Sequence, residues 1–221
     1  MTMVKRSLRS RAKSSEFQKG IHDNVMITNV DIEDRKGANG PINKMVYIKF
    51  AQMIDDKKVA ESELSWWKPD VTSEYFKTNL QEICLQLHNV LEACVGDESA
   101  FEAFSTVFAF TGMEDYKEIE SRKWKQSEVN ILLINLKIAF ATAIAPFVND
   151  SEKLLRLKLS TNYKGEDIEI PKYGKFVESM EVEETKLKFS AAEIKTHSKS
   201  GNVEVNVTAT AASSANTSAT I

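Results

Sequence analysis

Hydrophobic and polar positions alternate near the start of the chain, shift to a helical rhythm through its middle, and alternate again towards the end. Asn24 to Glu33 is rich in Val, Ile and Met, and turn residues follow in Lys36-Gly37-Ala38-Asn39-Gly40-Pro41. From Met45 to Met53 the alternation places Val46, Ile48 and Phe50 on one face and Tyr47, Lys49 and Ala51 on the other. A polar turn at Asp55-Asp56-Lys57-Lys58 leads into Val59 to Trp67, which Pro69 stops. Three strands joined by short turns predict an antiparallel meander.

The period then changes from 2 to 3.6. Phe76, Leu80, Cys84, Leu87, Leu91 and Cys94 recur at steps of four and three, one face of an amphipathic helix that Gly96 ends. Ser99 to Glu102 has capping-box spacing, so a second helix is expected to start there and run towards Gly112. Ser127 to Ala145 reads as a long buried helix with Val129, Leu132, Leu133, Leu136, Phe140 and Ile144 inward, closed by Pro146. Alternation returns in Lys153 to Ser160, with Leu155, Leu157 and Leu159 on one side and Leu154, Arg156 and Lys158 on the other. A shorter strand is expected around Asp167 to Ile170, beyond Asn162-Tyr163-Lys164-Gly165. Three strands, a helical block and two strands make an α+β chain.

Composition narrows the class. With 42% hydrophobic and 28% charged residues over 221 positions, the chain reads as globular. Cys84 and Cys94 both fall in the first helix and read as small buried hydrophobes, not as a disulfide framework. The longest apolar run, Ile131 to Phe147, is interrupted by Asn135, Lys137 and Thr142 and falls short of the roughly 20 residues of a bilayer span. No membrane partner is expected, and the cytoplasm is the expected location.

Charge separates the two ends. Up to Lys19 the chain carries a net +5, which against −3 overall leaves −8 for the remainder. Residues 1–19 therefore form a basic, Ser-rich arm; 20–200 form the domain, with its helical block at 71–147; 201–221 form a low-complexity Ala/Ser/Thr tail. The arm reads first as a solvated tail that could contact phosphate; it resembles an organelle transit peptide in being Arg- and Ser-rich, but the hydrophobic face of an amphipathic helix is nearly absent.

This order of elements resembles that of the OB-fold single-stranded DNA-binding proteins of bacteriophages, over Asn24 to Trp67 and Leu154 to Phe176. The resemblance implies a five-stranded OB-like antiparallel barrel with a large helical insertion between strands 3 and 4. It also implies a DNA-binding role in replication or recombination, in the host cytoplasm if the protein is viral. The chain departs from the pattern in the size of its helical block and in its tail, which is neutral where many such proteins end in acids.

Sequence-tolerant binding of single-stranded DNA, or RNA, needs cations that follow the backbone and aromatic faces on which bases stack. The second strand offers Tyr47 and Lys49, and the third ends in Trp66, Trp67 and Lys68. Strand alternation sends one tryptophan to the core and the other outward. The fourth strand adds Arg156 and Lys158, and the flanking loops add Arg35, Lys36 and Lys44 on one side, Tyr163 and Lys164 on the other. Each has a plainer reading. Tyr47 and Lys49 suit the wet face of any sheet, the tryptophans suit core and rim, and Arg156 and Lys158 suit a solubilised edge.

Enzyme signatures are missing. The eight glycines form no phosphate loop, and His22, His88 and His197 have no ligand partner at metal-site spacing. Neither a catalytic residue nor a cofactor is expected. The alternative to nucleic-acid binding is a structural or packaged component of a virus particle, which would self-associate.

Overall fold

The computed structural model describes residues 17–36, 42–161, 168–171 and 174–199. Most of the basic arm and the whole low-complexity tail lie outside these residues, as do Tyr163 and Lys164. Phe17, within the stretch read as arm, is buried in the core and meets His22 edge to face.

The predicted meander forms. Strand β1 (Gly20–Asp31) is followed by the two-residue β2 (Arg35–Lys36), β3 (Ile42–Ile54) and β4 (Lys57–Trp67). Lys44 of β3 pairs with Trp67 of β4 on one edge and with Arg35 of β2 on the other, so β2 continues the β1 side after a break at 32–34. Val46 interrupts the alternation. It takes φ 49° where Met45 opposes Trp66 and Tyr47 opposes Ser65, leaving one extra residue on β3. The bulge adds Met45 to the core beside Val46, Ile48 and Phe50, all of them buried, where the simple period of two would turn Met45 outward.

The helical block comprises α1 (Phe76–Val95), α2 (Asp97–Phe110) and α3 (Gln126–Ile144), with short 3-10 turns at Tyr116–Ile119 and Ala145–Phe147. Helix α1 buries all six residues of the predicted face. Gly96, at φ 88°, makes the corner into α2, a conformation that L side chains rarely adopt. Helix α2 therefore begins at Asp97 rather than at Ser99, and no side chain caps it. Helix α3 buries Val129, Leu132, Leu133, Leu136, Phe140 and Ile144 as expected. Its first turn is tied by the Lys125 N–H, which donates to Glu128 at 2.8 Å. With the turn that follows, Gln126–Phe147 gives 22 residues of mean hydropathy 1.7, long and apolar enough to cross a membrane by length and composition. The run read from the sequence was shorter because it stopped short of the first helical turns.

Strand β5 (Leu155–Thr161) returns to the sheet beside β1, followed by β6 (Ile168–Glu169), β7 (Val177–Ser179) and α4 (Ala191–Lys199). The five-stranded order is β4-β3-β1-β5-β7, antiparallel throughout, and β6 pairs with the second half of β5. One hydrophobic cluster joins the inner face of this sheet to the helices, with Phe50, Phe104, Phe140 and Phe176 among its largest members.

The sheet does not close, and the expected barrel is corrected accordingly. Among the described residues β4 pairs only with β3, while β6 and β7 pair only with β5. Helix α1 occupies the seam instead. Its Gln86 accepts a hydrogen bond from the Trp66 indole N–H of β4 and donates to the Pro171 carbonyl just past β6, at 3.2 Å for the second bond. A side-chain amide thus bridges the two edges that closure would pair.

Candidate nucleic-acid interface

Alternation along β4 sends Ser62, Leu64 and Trp66 to one face and Glu63, Ser65 and Trp67 to the other. Trp66 opposes Met45, is 8% exposed, and has its N–H satisfied by Gln86. It is a core residue, which removes it from the set of stacking surfaces. Trp67 opposes Lys44 and is 64% exposed. The Lys44 ammonium lies 5.3 Å from the centroid of the Trp67 ring, within cation–π range.

Trp67 and Lys44 stand at a cleft of about 490 Å³ between β4, α1 and the Ile168–Ile170 stretch. Ile83, Leu159, Ile168 and Ile170 supply its apolar lining, and Asn79, Gln86, Glu63 and Glu82 its polar groups. It is the gap left by the open sheet.

The remaining candidates are placed differently. Tyr47, expected on an open outer face, is 3% exposed, because the Arg35 guanidinium lies over its ring at 3.5 Å. Burial pushes its phenol above the ordinary value. Arg35 is itself held by Asp31 at 2.9 Å and Glu63 at 3.1 Å. Lys49 is half-buried, in register between Asn29 and Glu63. Lys68 reaches Asp34 at 3.2 Å, and Lys137 of α3 reaches the same carboxylate at 2.7 Å. Burial works against ionisation of Asp34, yet hydrogen bonds from Lys137 and Lys68 hold its carboxyl below the ordinary value.

Arg156 and Lys158 do point away from Leu155, Leu157 and Leu159, but they do not face open solvent. The chain after β7 lies over them. Arg156 bonds Asp23 and Glu178, each at 2.7 Å. Lys158, 2% exposed, meets Glu193 of α4 at 3.2 Å, donates to the Lys188 carbonyl at 2.8 Å, and lies 5.5 Å from the Phe189 ring centroid. Burial opposes ionisation of Glu178 and Glu193. Hydrogen bonds from Thr185, Arg156 and Lys186 to the first, and from Ser190 and Lys158 to the second, still leave both carboxyls below the ordinary value. Of the loop candidates, Lys36 contributes its backbone to β2 while its side chain, like Tyr163 and Lys164, lies outside the described residues.

Apart from buried Trp66, half-buried Lys49 and the side chains outside the described residues, the predicted set falls into three groups. Lys44 and Trp67 meet at the cleft; Arg35, Tyr47 and Lys68 belong to a polar cluster with Asp31, Asp34 and Glu63; Arg156 and Lys158 lie under the C-terminal segment. The acids that neutralise the second and third groups were missed in the sequence. Glu61 and Glu63, which alternate outward on β4 opposite β3, were the readable signal for the second. The acidic run Glu178, Glu181, Glu183 and Glu184 is plain in the sequence, but no local pattern places it, or Glu193, over Arg156 and Lys158.

Two further groups bear on chemistry. His88 and Glu92, one turn apart on α1, come together with Asp97, with ligand atoms within 4.8 Å of one another. Sequence spacing alone did not join Asp97 to that pair; the Gly96 corner does. The Lys175 ammonium stands 2.6 Å from Glu92 and opposes a further cation there. Burial pushes the thiols of Cys84 and Cys94 up to about 12, so both stay protonated at neutral pH.

No family model matches the chain, and no significant match is found among curated proteins or solved structures.

Proposed function

We propose that the protein binds single-stranded nucleic acid, with one base stacking on Trp67 and the strand entering the cleft beside it. The observation that carries this reading is the pairing of a largely exposed indole with the Lys44 ammonium at the mouth of an open cleft. An indole face accepts any base, and a neighbouring cation accepts a phosphate. The volume of about 490 Å³ lies in the range of small-ligand sites. The strand order, with the helical block between its third and fourth long strands, supports an OB-type reading. In that fold oligonucleotides lie across the strands corresponding to β3 and β4. Glu63 and Glu82 make the interior of the cleft a place for bases, and confine phosphate contact to the Lys44 end.

The test is a titration with oligo-dT at two salt concentrations, followed by tryptophan fluorescence in the wild type and in Trp67→Ala. Trp66 is buried and Trp124 partly so, with its N–H on the Ile119 carbonyl, so quenching reports mainly on Trp67. Quenching that weakens with salt is expected in the wild type. The variant is expected to lose the quenching and, by anisotropy of a labelled oligonucleotide, roughly 5- to 150-fold in affinity, the equivalent of ~1–3 kcal/mol of stacking. A wild type that neither quenches nor binds at low salt overturns the proposal.

A further inference from the structure

The cleft changes character from its mouth to its interior. Among the described residues that line it, Lys44 is the one cation, and it stands at the mouth with Trp67. Inside are the carboxylates of Glu63 and Glu82, the hydroxyls of Ser62 and Ser65, and the amides of Asn79 and Gln86. Strong hydrogen-bond acceptors dominate there, so a ligand edge that enters is selected for the donors it carries.

Two of these groups are engaged in the fold itself. Glu63, exposed on the outward side of β4, is held by Arg35 at 3.1 Å, which answers its charge. The Gln86 amide is buried and fixed at both ends, its oxygen by the Trp66 indole N–H and its nitrogen by the Pro171 carbonyl at 3.2 Å. The same nitrogen donates to Glu82, one turn earlier on α1, at 3.4 Å. A carboxylate has about four acceptor sites, so this bond orients Glu82 without exhausting it. Asn79, Glu82 and Gln86 follow at helical spacing along the side of α1 that lines the cleft.

The bases differ in what they show to a carboxylate. Guanine presents N1–H and an N2 amino N–H side by side, a fork that one carboxylate accepts with both oxygens, as it accepts an arginine. Cytosine and adenine present one amino group beside a bare ring nitrogen, which repels the second oxygen. Thymine and uracil present a single N–H between two carbonyls, and both carbonyls face negative charge. We infer that the cleft prefers guanine and that Glu82 sets this preference, an inference that rests on the single-strand reading proposed above. Stacking on Trp67 stays tolerant of sequence, and selection is confined to the base that enters the cleft.

Anisotropy titrations of the full chain test it, with labelled oligo-dT and with the same oligonucleotide carrying guanine, cytosine, adenine or hypoxanthine at one central position. Guanine is expected to tighten binding roughly 5- to 150-fold over thymine, the size of one bidentate contact, with cytosine and adenine between. Hypoxanthine keeps N1–H and lacks the N2 amino group, and is expected to lose most of that gain. Glu82→Gln, which puts a donor in place of one carboxylate oxygen, is expected to bring the guanine-to-thymine ratio close to one. Equal affinity for all of the oligonucleotides overturns the inference and leaves the single-strand reading standing. Absence of binding to any of them overturns both. A guanine preference that survives hypoxanthine, or survives Glu82→Gln in a folded variant, overturns the assignment to Glu82. The hypoxanthine comparison uses the unaltered protein, so it decides even where the variant does not fold.

Discussion

Lys44 with Trp67 and Arg156 with Lys158 begin from the same local rule and reach opposite ends. Both pairs stand on the outward side of strands whose alternate residues fill the core. At the end of the β3–β4 hairpin, α1 and the Ile168–Ile170 stretch approach only far enough to leave a cleft, and Trp67 keeps most of its surface in contact with water. On β5 the segment from Glu178 to α4 does return, and its carboxylates and carbonyls satisfy both cations. Strand alternation decides which side a residue faces. Whether that side is solvent is decided by chain that can be many residues away.

The difference can be broken most severely at Lys158. Replacing it with Ala leaves the Glu193 carboxylate facing the β5 surface without its ammonium, and losing one partner of a buried pair costs about 3–5 kcal/mol. Urea unfolding measures the loss, and Lys158→Met, which keeps the apolar stem, is expected to lose less. A loss near zero would mean that the covering segment is loose and that the two regions are alike. Acid should act on the covered region next. Glu178 and Glu193 have folded-state values below the ordinary 4.5, so their contribution is complete above that pH and is lost as pH falls through the folded values. The urea midpoint is expected to decline below about pH 4.5, and Glu193→Gln is expected to flatten that decline. The gentlest probe is Lys44→Ala. It should leave unfolding unchanged and lower the slope of log affinity against log salt by about 0.7, one single-strand phosphate contact. An unchanged slope would separate Lys44 from the phosphates and leave Trp67 as the sole contact at the cleft mouth.

The parts of the fold that could be read from the sequence are those with an uninterrupted period. The buried face of α1 from Phe76 to Cys94, that of α3 from Val129 to Ile144, and the Leu155-Leu157-Leu159 row are all found as the pattern predicts. Where a single residue breaks the period, the reading slips: the Val46 bulge moves Met45 into the core row, and Gly96 starts α2 two residues early. Strand β7 and α4 lie in a stretch dense with Glu and Lys, and their positions come from long-range pairing with β5. The candidate site divides the same way. Alternation indicated that one of the two tryptophans is exposed. That Tyr47 is roofed by Arg35 and Lys158 capped by Glu193 depends on partners distant in sequence, to which a local pattern is blind.

The central place of β1 has a consequence for the order in which the molecule can be made. One edge of β1 is matched by β3 within the same meander, but the other waits for β5, with Gly20 against Leu159 beyond the whole helical block. A chain emerging from the ribosome therefore holds a half-finished sheet, with one side of its middle strand unpaired, until most of its length has been synthesised. Pairs so distant close slowly, since the entropy of the intervening loop is lost before the contact forms. The helices, built from local contacts, are ready first, and the last strands to arrive complete a sheet whose core the first strand has already begun.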